Sequence, residues 1–208
     1  MQEVKPIEWG RYVSYWFYHT PRRLLHCLSY YKFAAKMIGT QKRVLDIGCN
    51  EGIGTYLIAK ECGFAKGIDF DKQAIEQAQE NFNETCVAFE IGDFLQISPQ
   101  PKWDAIVNFD VIEHIFPEHV DQFMQRICSN LKEEGVAIIG TPSYISQQFA
   151  SDISKKGHVN IYDPIRLKKE LSNYFHYVFL FAANDEVVHT GFLPLAHYLI
   201  AVCCKKRS

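Results

Sequence analysis

"VLDIGCNEGIG", residues 44–54, joins an apolar run to a helical pattern through Gly48, Gly52 and Gly54. The run is short and β-branched and ends at a turn signal, which predicts a buried strand over "RVLDIG" (43–48) and a helix over "GTYLIAKEC" (54–62). A glycine bend there lets backbone N–H groups approach a ligand where any Cβ would clash. Asn50 stands in the bend as the residue type that, after glycine, best tolerates positive φ.

The same alternation continues along the chain. Strands are predicted at "AKGIDF" (65–70), "CVAFEIGD" (86–93), "WDAIVNFD" (103–110) and "GVAIIGT" (135–141). Helical patterns follow at "DKQAIEQAQENF" (71–82), opening on Asp71, and from Pro117 through "EHVDQFMQRICSNLK". The stretch "FLQISPQPK" (94–102) is too broken by proline for a helix. After an irregular region come a helix at 164–175 and two strands at 177–185 and 196–204 with no helix between them. Near-continuous apolar strands alternating with helices predict an α/β fold whose mostly parallel sheet is covered on both faces. Five β/α units and a terminal pair make a doubly wound, Rossmann-like sheet of seven strands, the last antiparallel.

Bulk properties bound the alternatives. The chain has 208 residues, 48% hydrophobic, enough for one domain with a full core. A formal charge of -2 and the lack of a basic, aromatic-interleaved stripe give no pull toward nucleic acid. The opening "MQEVKPIEWG" has no signal-peptide core, and the late run "FLPLAHYLIAVCC" is too short to span a bilayer. Seven scattered cysteines without a CxxC suggest neither a disulfide framework nor a zinc cage. The expectation is a cytoplasmic single domain over 1–208. It divides into a helical cap (1–40), a cofactor-binding half (41–141) and a substrate-side half (142–208).

Ligands of open α/β sheets sit outside the carboxyl ends of the strands. At those ends stand the glycine bend, Asp69 placed to accept from ribose hydroxyls, and Asp93 with Phe94 placed for an adenine amino group and ring face. Gly48, Gly52 and Gly54 do not match the G-x-G-x-x-G of dinucleotide oxidoreductases, which leaves such an enzyme, or a noncatalytic nucleoside-binding protein, as the competing class. At this point "VLDIGCNEGIG", "GIDFD", "GDF", "WDAIVNFDVIEHI" and "LKEEGVAIIGTPS" resemble the successive motifs of class I S-adenosylmethionine-dependent methyltransferases. The likeness covers about residues 40–180 and is strongest to the branch of ubiquinone-biosynthesis O-methyltransferases and bacterial sugar and lipopolysaccharide methyltransferases. The resemblance implies that Asp46 and the loop of Gly48, Cys49, Asn50 and Gly52 hold the methionine part, and Asp69 the ribose. Asp93, Phe94 and Phe70 would hold the adenine, with Asn108 and Phe109 near the sulfonium.

"NFDVIEHIF" (108–116) supplies the candidate reaction groups. On a helix Asp110, Glu113 and His114 would share one face, either as first-turn acids facing the helix dipole or as a site. A hydroxyl acceptor needs a base or a metal to shed its proton. The resemblance adds an acid-x-x-Glu-His motif joined by a later His, here His158, in relatives that bind a divalent metal, so Asp110, Glu113, His114 and His158 are candidate ligands for Mg²⁺, Mn²⁺ or Zn²⁺. The alternative is a metal-free role for them beside the acceptor. The loops 141–164 and 184–194 leave the same sheet edge and offer Tyr144, Tyr162, Glu186 and His189 as acceptor contacts. Trp9, Tyr12, Tyr15 and Trp16 are lid or core aromatics, and Arg22-Arg23, Lys155-Lys156 and Lys205-Lys206 are solvated charge or phosphate contacts. A saccharide or a polysaccharide precursor is the first expected acceptor, a quinone or phenol the second.

Overall fold

The protein is described by a computed structural model over residues 6–97 and 101–207. Residues 98–100, within the proline-broken stretch, and 1–5, which open the chain, lie outside the described residues. Five strands follow the expected order: β1 (Lys42–Ile47), β2 (Gly63–Asp69), β3 (Val87–Ile91), β4 (Trp103–Phe109) and β5 (Leu131–Pro142). All pair in parallel; the central residues of β1 and β4 are buried because both sheet faces are covered, whereas those of the edge strand β3 are half-buried. β6 (Phe175–Ala183), β7 (Val188–His189) and β8 (Tyr198–Lys206) complete one sheet in the order β3-β2-β1-β4-β5-β8-β6-β7. β8 runs antiparallel to both β5 and β6. The sheet has eight strands where seven were expected: the β6–β8 connection pairs its own two residues with Ala182 and Ala183, a pairing too short to leave a periodic signal.

On one face lie α2 (Pro21–Ile38) and α3 (Ile53–Cys62), sharing a core with the apolar side chains Val44, Val107, Ile138 and Ile200. On the other, α5 (Val120–Asn130) and α7 (Pro164–Leu171) pack Phe123, Met124, Ile127 and Leu167 onto Leu45, Ile106 and Ile139. α4 (Lys72–Asn81) opens on Asp71, whose carboxylate accepts from the backbone N–H groups of Gln73 and Ala74. α1 (Arg11–His19) precedes α2, and α6 (Asp152–Gly157) lies in the β5–α7 connection. Among the described residues no helix is long and apolar enough to cross a membrane.

The segment after β4 departs from the expected helix. Asp110 has φ +56°, a left-handed backbone that no α-helix accommodates, and only a single 3-10 turn, Ile112–His114, follows it. A second 3-10 turn at Pro117–His119 leads into α5. The carboxylate of Asp110 therefore leaves the direction that Glu113 and His114 take.

The cap meets α3 at a point of very close contact. Tyr31 of α2 lies flat over Gly54, where an added Cβ would stand 2.2 Å from the ring. Helix propensity alone favours Gly54→Ala by about 1 kcal/mol, but overpacking costs roughly 1–3 kcal/mol. We expect the clash to win, with a lowered midpoint in urea unfolding; a stabilised Gly54→Ala protein would show that α2 is not seated there.

Candidate active site

The glycine bend is held open by backbone bonds to the next strand. The N–H groups of Gly48 and Cys49 both donate to the carbonyl of Ile68, at 2.8 and 3.2 Å, and that of Asn50 donates to Asp69 Oδ2 at 2.8 Å. Gly48 and Gly52 (φ +77° each) and Asn50 (φ +50°) are all left-handed, so Asn50 does replace glycine in a conformation it tolerates. Gly48 also has to be glycine for space, since its Cβ would meet Val111 at 2.2 Å.

Above the bend lies one cavity of about 630 Å³. Gly48, Cys49, Asn50, Gly52, Asp69, Phe70, Asp93 and Phe94 form one part of its wall, and Phe109, Asp110 and His114 another. Phe70 is exposed at the rim, whereas Phe94 is buried with its ring edge-on to Phe123. The side chain of Asp93 is tied to its own turn, accepting from Leu95 N–H and Gln96 Nε2 at 2.9 Å each.

Two expected members lie behind the wall. Asp46 does not share the crevice with Asp69 and Asp93. It is fully buried beneath the bend, where Thr55 Oγ1 donates to one oxygen at 2.6 Å and Tyr31 Oη to the other at 3.3 Å. Burial pushes its carboxyl up to about 7 against the pull of those two hydroxyls, with the charge of Asp69 adding to the rise. Asn108 is likewise fully buried and donates from Nδ2 to the carbonyl of Ile47 at 3.3 Å, under the floor.

At the tip of β4 the reactive residues divide into two groups. Asp110 Oδ2 accepts from Arg23 Nη2 and from Tyr30 Oη, each at 2.6 Å, while its buried Oδ1 has no protein partner. Burial alone would raise the Asp110 carboxyl, yet the charge of Arg23 and the Tyr30 bond hold it below the usual range. Glu113, His114 and His158 form the second group, one ligand atom of each lying within 4.8 Å of the others. His114 Nδ1 bonds the carbonyl of Gly157 and His158 Nδ1 bonds Gln147 Oε1, both at 2.9 Å, which leaves each Nε2 free. Glu113 Oε2 accepts from Thr141 Oγ1 at 3.1 Å and its buried Oε1 has no partner. Those three residues can hold a divalent cation; Asp110, expected as a fourth ligand, belongs instead to Arg23 and Tyr30.

The other loop candidates lie away from the cavity. His189 is in β7 and its Nδ1 accepts from Gly191 N–H, and Tyr144 and Glu186 are exposed elsewhere. Tyr162 is core, fully buried and donating to Glu170 Oε1 at 2.6 Å. Of the N-terminal aromatics, Tyr12 and Trp16 reach the cavity wall, while Trp9 and Tyr15 face outward. The sequence gives no sign of Tyr30, Tyr31 or Glu51 as site residues, and it offers Arg23 only as solvated charge or a phosphate contact. Arg23 and Tyr30 meet Asp110 from 87 and 80 residues away, a pairing no local pattern encodes.

Comparison with known proteins agrees with this geometry. Residues 38–180 match the family described as a methyltransferase domain. A probable S-adenosylmethionine-dependent methyltransferase of Mycolicibacterium smegmatis is 31% identical over 134 residues, covering 64% of this chain and 48% of the relative. A ubiquinone biosynthesis O-methyltransferase of Pelagibacter ubique is 27% identical over 101 residues, 48% of this chain and 41% of that one. This chain thus spans about half the length of the curated relatives it matches. The N-methyltransferase NodS of Bradyrhizobium japonicum superposes with TM-score 0.66 at 17% identity, covering 91% of this chain and 99% of NodS. The DhpI–SAH complex superposes at 0.68 with 15% identity, covering 94% and 92%. These structures share the fold.

The raised Asp46 carboxyl has a consequence for stability. A carboxyl whose folded pKa lies above its unfolded value of 3.8 favours the fold fully at acid pH, and that contribution is lost as pH rises toward about 7. Wild-type melting temperature should therefore fall between pH 4 and 7, and Asp46→Asn, which keeps both hydroxyl partners in reach, should flatten that fall. An unchanged slope in the Asn variant would place the titration elsewhere.

Proposed function

The chain belongs to the methyltransferase-domain family, and from that premise we propose that it transfers a methyl group from S-adenosylmethionine to a hydroxyl of a small polyhydroxylated acceptor. One observation carries the proposal: a single undivided cavity runs from Asp69 and the glycine bend to Asp110 and His114. The donor half, 41–141, offers the bend and Asp69 to a sulfonium-bearing adenosine. The cap closes the acceptor side, with Tyr12, Trp16 and Arg23 in the cavity wall.

In the transfer, an acceptor oxygen lone pair attacks the methyl carbon in line with the carbon–sulfur bond. That bond breaks with its electrons returning to sulfur, which neutralises the sulfonium, and the hydroxyl proton leaves to a base. Positioning supplies much of the rate. We assign the base to His114, which lines the cavity with Nε2 free. Asp110 Oδ1, buried and without a partner, accepts from the acceptor's hydroxyls.

The Arg23–Asp110 pair favours a saccharide-like acceptor. Its two charges cancel, so it offers a hydrogen-bond acceptor and spare guanidinium donors without net charge, which suits neutral hydroxyls better than a carboxylate or phosphate. Tyr12, Trp16 and Phe116 add aromatic faces for the C–H side of a ring. A phenolic acceptor fits the aromatic wall alone and is the second reading. The group of Glu113, His114 and His158 supports a further possibility in which a divalent ion polarises the hydroxyl, in keeping with the unpartnered Glu113 Oε1.

Calorimetry should give micromolar binding of S-adenosylhomocysteine and none of NAD; the reverse overturns the donor assignment. With methyl glycosides and catechols as acceptors, a mass shift of one methyl group should appear on a glycoside, and transfer to catechols alone would install the phenolic reading. His114→Ala should lower kcat by about 10²–10⁴ with unchanged S-adenosylhomocysteine affinity, and wild-type kcat would remove His114 from the mechanism. Activity that survives EDTA assigns the histidines a metal-free role, and activity restored by added Mg²⁺, Mn²⁺ or Zn²⁺ assigns them the ion.

A further inference from the structure

We infer that Glu51 is a positioning residue which couples the donor-binding bend to the roof over the cavity. α1 has no cap of its own. Its N-cap residue, Gly10, makes no side-chain bond, and nothing acidic stands in its first turn. Isolated helices of this length are marginal in water, and the first N–H groups of any helix need partners. Glu51, from the glycine bend, supplies them across 39 and 38 residues of sequence: Oε1 accepts from Tyr12 N–H at 2.7 Å and Oε2 from Val13 N–H at 3.0 Å. The carboxylate is 3% exposed. Gly10 must be glycine for this, since an added Cβ would stand 2.4 Å from Glu51 Oε1.

The tip of β2 holds the same helix a second time. Asp71, two residues after Asp69, accepts from Arg11 and from Tyr12 Oη. Burial alone would raise the Asp71 carboxyl, but the Ala74 N–H, Tyr12 and Arg11 outweigh it and hold the group ionised below its usual range. Two of the three loops that line the donor side of the cavity therefore also grip α1, whose Tyr12, Val13 and Trp16 form the roof.

The arrangement inside the bend makes the coupling direct. Asn50 donates its N–H to Asp69 and, through Oδ1, accepts from the N–H of Glu51 at 2.7 Å. The left-handed conformation that turns the bend toward the ribose acid is thus the one that aims Glu51 at α1. A donor that fixes the bend fixes the roof, and the roof completes the wall on which the acceptor lies. Donor binding should precede acceptor binding for this reason.

The inference rests on the donor reading above, and its test separates the two. Hydrogen exchange of the full chain is followed over residues 11–19, with residues 120–130 of α5 as the internal control, with and without S-adenosylhomocysteine. Ligand should slow exchange in 11–19 of the wild type. In Glu51→Ala those residues should exchange fast in both states, with ligand affinity roughly ten-fold lower and α5 unchanged. Gly10→Ala, which leaves the bend's own sequence intact, should shift both readouts in the same direction. Ligand binding to the wild type without slowed exchange in 11–19, or wild-type slowing retained in both variants, overturns the coupling. Absence of any S-adenosylhomocysteine binding to the wild type overturns the donor reading instead.

Discussion

The hydrogen bond from Asn50 N–H to the Asp69 carboxylate is the constraint on which the site rests. It joins the loop after β1 to the tip of β2 and is reinforced by the two donations to the Ile68 carbonyl. Three left-handed residues within five positions would cost conformational entropy in a free loop; here each is held by a bond to the neighbouring strand or by space that a side chain would fill. The bend thereby presents a concave backbone to a ligand, which fixes it further on binding. Beneath it, Asp46 joins Thr55 of α3 to Tyr31 of α2, so the cap, α3 and β1 meet at one buried carboxyl.

Beside the apolar packing of α2, polar groups join the cap to the loops at the sheet's carboxyl edge. Arg23 and Tyr30 converge on Asp110, and Glu51 and Asp71 hold α1. The Arg23–Asp110 pair is part-buried, its side chains 31% and 22% exposed, so its net contribution to stability is small. Such contacts fix geometry more than they add stability. Tyr30 shows the mixture: its ring stacks on Tyr198 at 4.9 Å between centroids while its hydroxyl reaches Asp110.

What the sequence discloses follows the range of the interactions. The parallel strands are legible because each is a short buried run, and the bend at 48–52 because glycine and asparagine carry its conformation locally. β7 is not, since two residues have no period, and the helical reading of 110–114 fails because one left-handed residue breaks it, whereas the helix expected from Pro117 forms as α5. Side-chain placement at the site was legible for Asp69 and Asp93 in the cavity wall and for His114 near His158. It failed for Asp46, Asn108 and Tyr162, whose partners lie inside the fold, and for Arg23 and Glu51, whose roles exist only once α1 and α2 fold back over the sheet. A charge or a buried acid in a sequence states a need for a partner, not which distant residue meets it.

The two carboxyls three residues apart at β4's tip are the reason we assign the base to the histidine beside them. Asp110 is held ionised by Arg23 and Tyr30, and a carboxylate whose charge is already stabilised is a poor proton acceptor. Glu113 is pushed the other way, up to about 8 by burial first and by the charge of Asp110 second, so near neutral pH it keeps its proton unless a cation displaces it. At 1% exposure it also lies out of a substrate's reach. His114 alone of the three is exposed while lining the cavity, with one ring nitrogen fixed by the Gly157 carbonyl and the other free. Environments that drive neighbouring acids apart sort groups into roles: Glu113 braces Thr141, and in the transfer we propose Asp110 orients the acceptor and His114 takes the proton.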